Sequence, residues 1–296
     1  MTPVLTLKDR LNAYERLMRL DKPIGILLLL WPTLWGLWFA SGGVPPGHVL
    51  LVFITGTVLM RSAGCVINDF ADRNFDPHVE RTKDRPLAAG LIRPKEALLL
   101  AAVLMLLAFA FVLFLNALTI QLAFVAAAIA VIYPFVKRVF PLPQAWLGVA
   151  FGFGIPMAYA AVWNALPAVA WLLLVATALW AIAYDTEYAM VDRDDDQKIG
   201  VKSSAILFGR YDVLGVMTIH VLFLALMVWI GWQQMRGVFY FAGLLVASAL
   251  VVYQYMLIRD RQRDGCFRAF LNNNWVGCAI FVGTAVDWWQ NPQVLP

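Results

Sequence analysis

Two acidic clusters carry the clearest chemistry in the chain: Asn68-Asp69-x-x-Asp72-x-x-x-Asp76, and a second running from Asp185 through Asp192-x-x-x-Asp196. Of 19 carboxylates, 12 fall within residues 69–96 and 185–196. If the segment before Asn68 continues as a helix, then Asn68, Asp72 and Asp76 stand at i, i+4 and i+8 on one face. Asp185, Tyr188, Asp192 and Asp196, at i, i+3, i+7 and i+11, share a face in the same way. Carboxylates stacked at that spacing repel one another, a cost without return unless a cation lies between them. A solvated acidic loop would scatter its charges instead. Magnesium takes one or two protein carboxylates and completes its octahedron with water and phosphate oxygens, so the pattern points to Mg²⁺ and a diphosphate.

Four aspartates and a diphosphate outweigh two divalent ions, so the cations beside the clusters matter. Lys137 and Arg138 end a segment reading Tyr133-Pro134-Phe135-Val136-Lys137-Arg138, Lys198 and Lys202 follow the second cluster, and Arg73, Arg81, Lys83 and Arg85 follow the first. Guanidinium forks and ammonium charges both suit phosphate oxygens and can stabilise a departing diphosphate. Arg61 stands apart because it lies within an apolar segment, at i, i+4, i+7 and i+11 with Cys65, Asn68 and Asp72. An arginine there is a functional candidate by default. It can hold a substrate carboxylate or pair with an aspartate inside the bundle.

The elements that must position these groups are membrane helices. The chain is 61% hydrophobic and 14% charged, with a mean hydropathy of +0.72, well outside globular averages. Apolar runs of about 20 residues fall near 24–41, 47–67, 96–115, 118–135, 144–163, 166–184, 213–232, 237–258 and 270–289. The spacing predicts nine transmembrane helices in one polytopic domain over 1–296, an all-α membrane protein with no barrel alternation. Of the 23 Lys and Arg residues, 21 fall on the side of the N-terminus and of both clusters. Among the opposite loops only Arg236 is basic, and Arg61 is intramembrane. The positive-inside rule therefore places the N-terminus and the acids in the cytoplasm and the C-terminus outside. The same asymmetry accounts for the net charge of +4 without a nucleic-acid partner. No signal-peptide cleavage pattern precedes the first span, so that span is expected to direct insertion. Cys65, Cys266 and Cys278 lack the spacing of a zinc site or a disulfide framework.

The motif D-R-x-x-D recurs as Asp72 to Asp76 and Asp192 to Asp196, 120 residues apart, after the second and sixth spans. Four intervening helices restore the same orientation. Both clusters can then face one cavity across a pseudo-two-fold axis along the membrane normal.

These motifs resemble those of the UbiA superfamily of intramembrane prenyltransferases. The likeness extends to Leu17–Gly25 with Trp31-Pro32-Thr33-Leu34-Trp35, to GCVINDFADRNFDPHVERTKDRPLAAG over 64–90, YPFVKR over 133–138 and AYDTEYAMVDRDDDQKIGVKSSAILFG over 183–209. It includes Gly265–Phe270 leading into Asn272, Asn273 and Asn274. The paired aspartate motifs specify the superfamily, while the first-span signature and the loop after the sixth span point to its 4-hydroxybenzoate branch. The resemblance implies transfer of a polyprenyl group from polyprenyl diphosphate to the carbon ortho to the hydroxyl of 4-hydroxybenzoate, a step toward ubiquinone, in a bacterial inner membrane. It assigns Asn68, Asp72, Asp76, Asp192 and Asp196 to Mg²⁺-diphosphate binding, the four aspartates being the catalytic set, and it implies no obligate protein partner. Asp69, Asp185 or the diphosphate itself would accept the ring proton. A naphthoate, homogentisate or haem acceptor remains an alternative, and so does a cation-coupled transporter, although transporters place their carboxylates near the bilayer midplane. Asn272 to Asn274 either line the site or cap the last helix.

Overall fold

A computed structural model describes residues 6–78, 82–200 and 202–291. Helices follow one another in the order α1 (Leu7–Leu17), α2 (Ile24–Ser41), α3 (Gly47–Asp72), α4 (Pro94–Val112), α5 (Ala117–Val139), α6 (Pro143–Gly152), α7 (Gly154–Trp163) and α8 (Ala168–Ile199). They continue with α9 (Ser204–Phe208), α10 (Asp212–Gln233), α11 (Val238–Ile258) and α12 (Arg263–Gln290), and no strand occurs among the described residues. The all-helical expectation holds, as an uncovered backbone in hydrocarbon requires.

Among the described residues, eight segments are long and apolar enough to cross a membrane. They correspond to the first eight expected spans, with two differences that bear on the site. The run at 144–163 is broken into α6 and α7 at Phe153, where Gly152, Gly154 and Pro156 crowd into five residues; proline removes an N–H from the ladder and disfavours α geometry before it. The ninth expected span, 270–289, lies inside α12, which is not among the eight. Asn272 to Asn274 and Asp287 dilute its apolar character, although the helix is continuous and packs closely on α11, α8 and α2.

The core sits among α2, α7, α8, α10, α11 and α12. Trp35, Trp180 and Phe223 stack there with ring centroids 5.4–6.3 Å apart, a geometry favoured by the aromatic quadrupole. Small residues bring the helix backbones together, as is usual where lipid supplies no hydrophobic drive for association. A Cβ on Gly283 would lie 2.8 Å from the Phe239 carbonyl oxygen and 2.9 Å from the Gly243 Cα. At the far end of the bundle from the acids, Arg236 packs over the Trp288 ring at 3.4 Å and lies 3.7 Å from Asp287. Asp287 also accepts from the backbone N–H of Gly237 at 2.9 Å. The solitary cation of that side thus fastens the α10–α11 turn to α12 by cation–π and ionic contact.

The Gly243–Gly283 contact leaves no room for a branched side chain. Gly283→Val is expected to lower the stability of the purified protein by about 1–3 kcal/mol through overpacking; an unchanged thermal midpoint in detergent would contradict this packing.

Candidate active site

Helix α3 begins the site. Because it continues to Asp72, Arg61, Cys65, Asn68 and Asp72 fall on one face at i, i+4, i+7 and i+11. Arg61, Cys65, Asn68 and Asp69 line a cavity of about 980 Å³. Arg61 Nη1 donates to Cys65 Sγ at 2.7 Å, and its Cζ lies 5.9 Å from the Phe151 ring centroid. No carboxylate pairs with Arg61 among the described residues, so the expected alternative of pairing within the bundle is not realised. Its Nε is buried without a hydrogen-bond partner. Gly25 makes room for it, since a Cβ there would meet Arg61 Nη2 at 2.5 Å.

The first cluster departs from the expected single face. The helix stops at Asp72, and Asp76 lies in a short 3₁₀ turn, Asp76–His78. Pro77 explains the change: it cannot donate to a preceding carbonyl and disfavours helix at Asp76. The turn swings Asp76 into a buried position, where Arg85 Nη1 binds it at 3.0 Å and reaches Asp69 at 3.1 Å. Arg19 Nη2 donates to both Asp69 oxygens at 2.9 Å, and Asp69 is 1% exposed. Burial pushes the Asp76 carboxyl above its usual range, Arg85 draws it down, and the neighbouring Asp69 and Asp72 push it up again. Arg73 turns back on its own helix end, donating to the Phe70 carbonyl at 2.7 Å with its Cζ 4.4 Å from the Phe70 ring centroid.

The second cluster keeps its helix. With α8 unbroken to Ile199, Asp185, Tyr188, Asp192 and Asp196 share one face, and Asp185 and Tyr188 line the same cavity as the α3 residues. Tyr188 rests on Phe270, ring centroids 4.7 Å apart. On the other faces, Arg193 pairs with Asp212 at 2.7 Å and Arg263 reaches Asp194 and Asp195 at 3.3 and 3.4 Å. Lys198 is turned toward Asp195 at 3.5 Å and is largely exposed. Asp72, Asp76, Asp192 and Asp196 are not themselves among the residues that line the cavity, and neither are Lys198, Lys202 and Arg73. Tyr133 on α5 lines the same cavity as Arg61 and Asp185. The side chains of Lys137 and Arg138, and all of Arg81, lie outside the described residues.

Other cations occupy the cavity mouth: Arg16 from the last turn of α1, and Arg19 and Lys22 from the segment joining α1 to α2. In the sequence they count only toward topology, although Arg19 and Lys22 stand within the conspicuous run Leu17–Gly25. Helix α1 carries this segment, held to α4 by Arg10 and Tyr14 bound to Glu96. Asn272 to Asn274 neither line the cavity nor cap a helix. They lie inside α12, which begins at Arg263, and tie it to three neighbours: Gln254 Nε2 donates to Asn272 at 3.1 Å, Trp180 Nε1 to Asn273 at 2.8 Å, and Trp31 Nε1 to Asn274 at 2.9 Å. Asn273 in turn donates to the buried Glu187 at 2.7 Å.

The cavity is polar at this mouth and apolar beyond it, where Phe53, Phe109, Leu115 and Met157 line it. Leu106 and Phe124 line it as well although both are strongly exposed, so the cavity opens sideways between α4 and α5. No tight group of three or more His, Cys, Asp or Glu side chains occurs among the described residues. That sparse, all-oxygen set suits magnesium, which draws most of its octahedron from water and phosphate. The charges of Asp69 and Asp72 both act on Asp76, a repulsion that a bound cation would relieve.

Against this geometry, residues 29–277, which include both clusters, match the UbiA prenyltransferase family, and the chain belongs to that family. It is 62% identical over 284 residues to the 4-hydroxybenzoate octaprenyltransferase of Nitrosospira multiformis, covering 96% of this chain and 98% of that protein. It is 61% identical over 287 residues to the protein of the same name from Methylobacillus flagellatus, covering 97% of each. Its fold matches the apo structure of a UbiA homolog from Aeropyrum pernix with a TM-score of 0.78 at 25% identity, over 89% of this chain and 97% of that one. A UbiA homolog from Archaeoglobus fulgidus solved with GPP and Mg²⁺ shares the fold at a TM-score of 0.69 and 18% identity, over 94% and 99% of the two chains.

Arg85 offsets two buried carboxylates at once. Arg85→Gln is expected to cost roughly 3–5 kcal/mol, because Asp76 loses its buried partner and Asp69 keeps only Arg19. Equilibrium unfolding should register that loss, and a cost below about 1 kcal/mol would contradict the pairing described.

Proposed function

We propose that this protein transfers a polyprenyl group from polyprenyl diphosphate to the ring carbon ortho to the hydroxyl of 4-hydroxybenzoate, with Mg²⁺ at the diphosphate. The observation that carries the reading is the shared cavity: α3 contributes Asn68 and Asp69 and α8 contributes Asp185 and Tyr188 to its polar part, and its apolar body opens toward lipid. The high identity to proteins named 4-hydroxybenzoate octaprenyltransferase supports the acceptor and a long donor.

Asn68, Asp72 and Asp76 from the first cluster and Asp192 and Asp196 from the second would hold the metal. When bound, Mg²⁺ supplies charge that stabilises the departing diphosphate. Arg16, Arg19 and Lys22 add cationic charge at the mouth, where fixed donors are most effective as negative charge grows. Arg61 faces the cavity below them without a carboxylate partner, and it holds the acceptor carboxylate. The phenol ring is thereby set beneath the allylic carbon, and the aromatic and aliphatic walls keep water from the developing cation. Once the new carbon–carbon bond has formed, the ring carbon loses its proton. Asp185 lines the cavity, whereas both Asp69 oxygens accept from Arg19, so Asp185 is the protein base this arrangement favours. The positive-inside asymmetry supports a mouth and an N-terminus that face the cytoplasm, in a bacterial inner membrane with α12 as the ninth span.

Purified protein in lipid, supplied with geranyl diphosphate and 4-hydroxybenzoate, tests the metal site. Asp72→Asn and Asp192→Asn should each lower transfer about 100-fold or more, and EDTA should abolish it in the parent; product formed equally well without divalent metal would overturn the assignment. Arg61→Gln should raise the KM for 4-hydroxybenzoate about tenfold or more, the scale of a lost charged hydrogen bond, with the KM for the donor little changed. A KM effect confined to the donor would place Arg61 at the diphosphate instead.

A further inference from the structure

The end of α8 carries Asp192, Asp194, Asp195 and Asp196 within five residues. A helix turns about 100° per residue, so Asp192 and Asp196 share one face while Asp194 and Asp195 point away from it, and the rotation of the helix end decides which acids meet the cavity. Something must choose which pair faces the cavity.

Two arginines, Arg193 and Arg263, engage the faces that do not. Arg193 Nη1 donates to Asp212 Oδ2 at 2.7 Å, while Arg263 takes Asp194 and Asp195. Asp212 is the anchor. It is the first residue of α10, is fully buried, and accepts the N–H of Val213 through Oδ1 at 2.7 Å. The same oxygen accepts from Arg261 Nε at 2.8 Å. Arg261 lies in the α11–α12 turn with φ +55°, a left-handed conformation costly for a residue with a Cβ. Its Nη2 donates to the Arg210 carbonyl at 2.9 Å, so the strained residue bridges two loops. One buried carboxylate thus joins the α8 end to the start of α10 and to the α11–α12 turn. The face of α8 left to the cavity is the one continuing from Asp185 and Tyr188, which holds Asp192 and Asp196.

We propose that Asp212 is a positioning residue: through Arg193 and Arg261 it fixes the rotation of the α8 end so that Asp192 and Asp196, and not Asp194 and Asp195, face the metal–diphosphate. This rests on the reading that Asp192 and Asp196 serve that site. Asp212 touches neither substrate, and its effect is confined to the donor side.

The test measures calorimetric binding of Mg²⁺ with unreactive geranyl thiolodiphosphate to the full chain in lipid nanodiscs, alongside thermal midpoints and steady-state kinetics. Asp212→Asn, close in shape but uncharged, should weaken that binding about 10–100-fold, the usual scale for residues that orient metal ligands, while the KM for 4-hydroxybenzoate stays at the parental value. Arg261→Gly removes the second guanidinium and suits the positive φ. It should keep the thermal midpoint yet weaken binding several-fold, which a role in folding alone would not do. Parental binding in Arg261→Gly, or in a folded Asp212→Asn, overturns the proposal. Asp192→Asn in the same assay separates the two failures: normal binding there would refute the assignment of the α8 acids, and with it this inference. Loss in Asp192→Asn without loss in the other two would refute the positioning role alone.

Discussion

A carboxylate beside hydrocarbon must be paired, hydrated or held against a cation, because the medium offers it nothing else. In this chain the requirement organises one whole end of the molecule. Asp69 and Asp76 are buried under Arg19 and Arg85, Asp212 under Arg193 and Arg261, and Asp194 and Asp195 are matched by Arg263. Those pairs join segments far apart in sequence, since Arg19 precedes the first long helix and Arg263 opens the last. Pairs of this kind contribute modestly to net stability, but breaking one strands a buried charge. Their main effect is to fix where the helix ends lie, and hence which acids remain for the cavity.

The rest of the bundle divides accordingly. Around Trp35, Trp180 and Phe223 the helices pack tightly on small residues, and α12 is fastened to its neighbours through Asn272, Asn273 and Asn274. On the other side, α3 packs closely on α4 while α5 meets both only sparsely, and exposed residues such as Leu106 and Phe124 belong to the cavity wall. The aromatic core holds the second acidic helix, while the sparse packing of α5 against α3 and α4 leaves space for an apolar chain. That is a sensible partition for an enzyme whose donor has a charged head and a lipid-soluble tail.

Much of this was legible in the amino-acid pattern, and the exceptions have specific causes. Apolar run lengths located the long helices because the bilayer fixes their length, and 3.6-residue periodicity set Asp185, Tyr188, Asp192 and Asp196 on one face because α8 is unbroken. The same periodicity misled at Asp76, where Pro77 ends regular helix and a turn carries the side chain under Arg85. Arg16, Arg19 and Lys22 were counted as topology signals, since nothing in spacing along one chain reveals that a leader segment folds over the mouth of a cavity. Asn272 to Asn274 were ambiguous for a related reason. An asparagine's role depends on its partners, and theirs lie on three other helices. Arg61 is conspicuous by location alone, but only the fold shows that its space is provided by Gly25.

The central claim is that two acidic clusters, one on α3 and the turn that follows it and one on α8, form a single metal–diphosphate site. An experimental structure of the protein in lipid with Mn²⁺ and geranyl thiolodiphosphate, read by anomalous scattering at the manganese edge, tests it most directly. The account predicts metal peaks bound to the diphosphate between Asp72 and Asp76 on one side and Asp192 and Asp196 on the other. Metal held by one cluster alone, with the diphosphate away from the second, would contradict it.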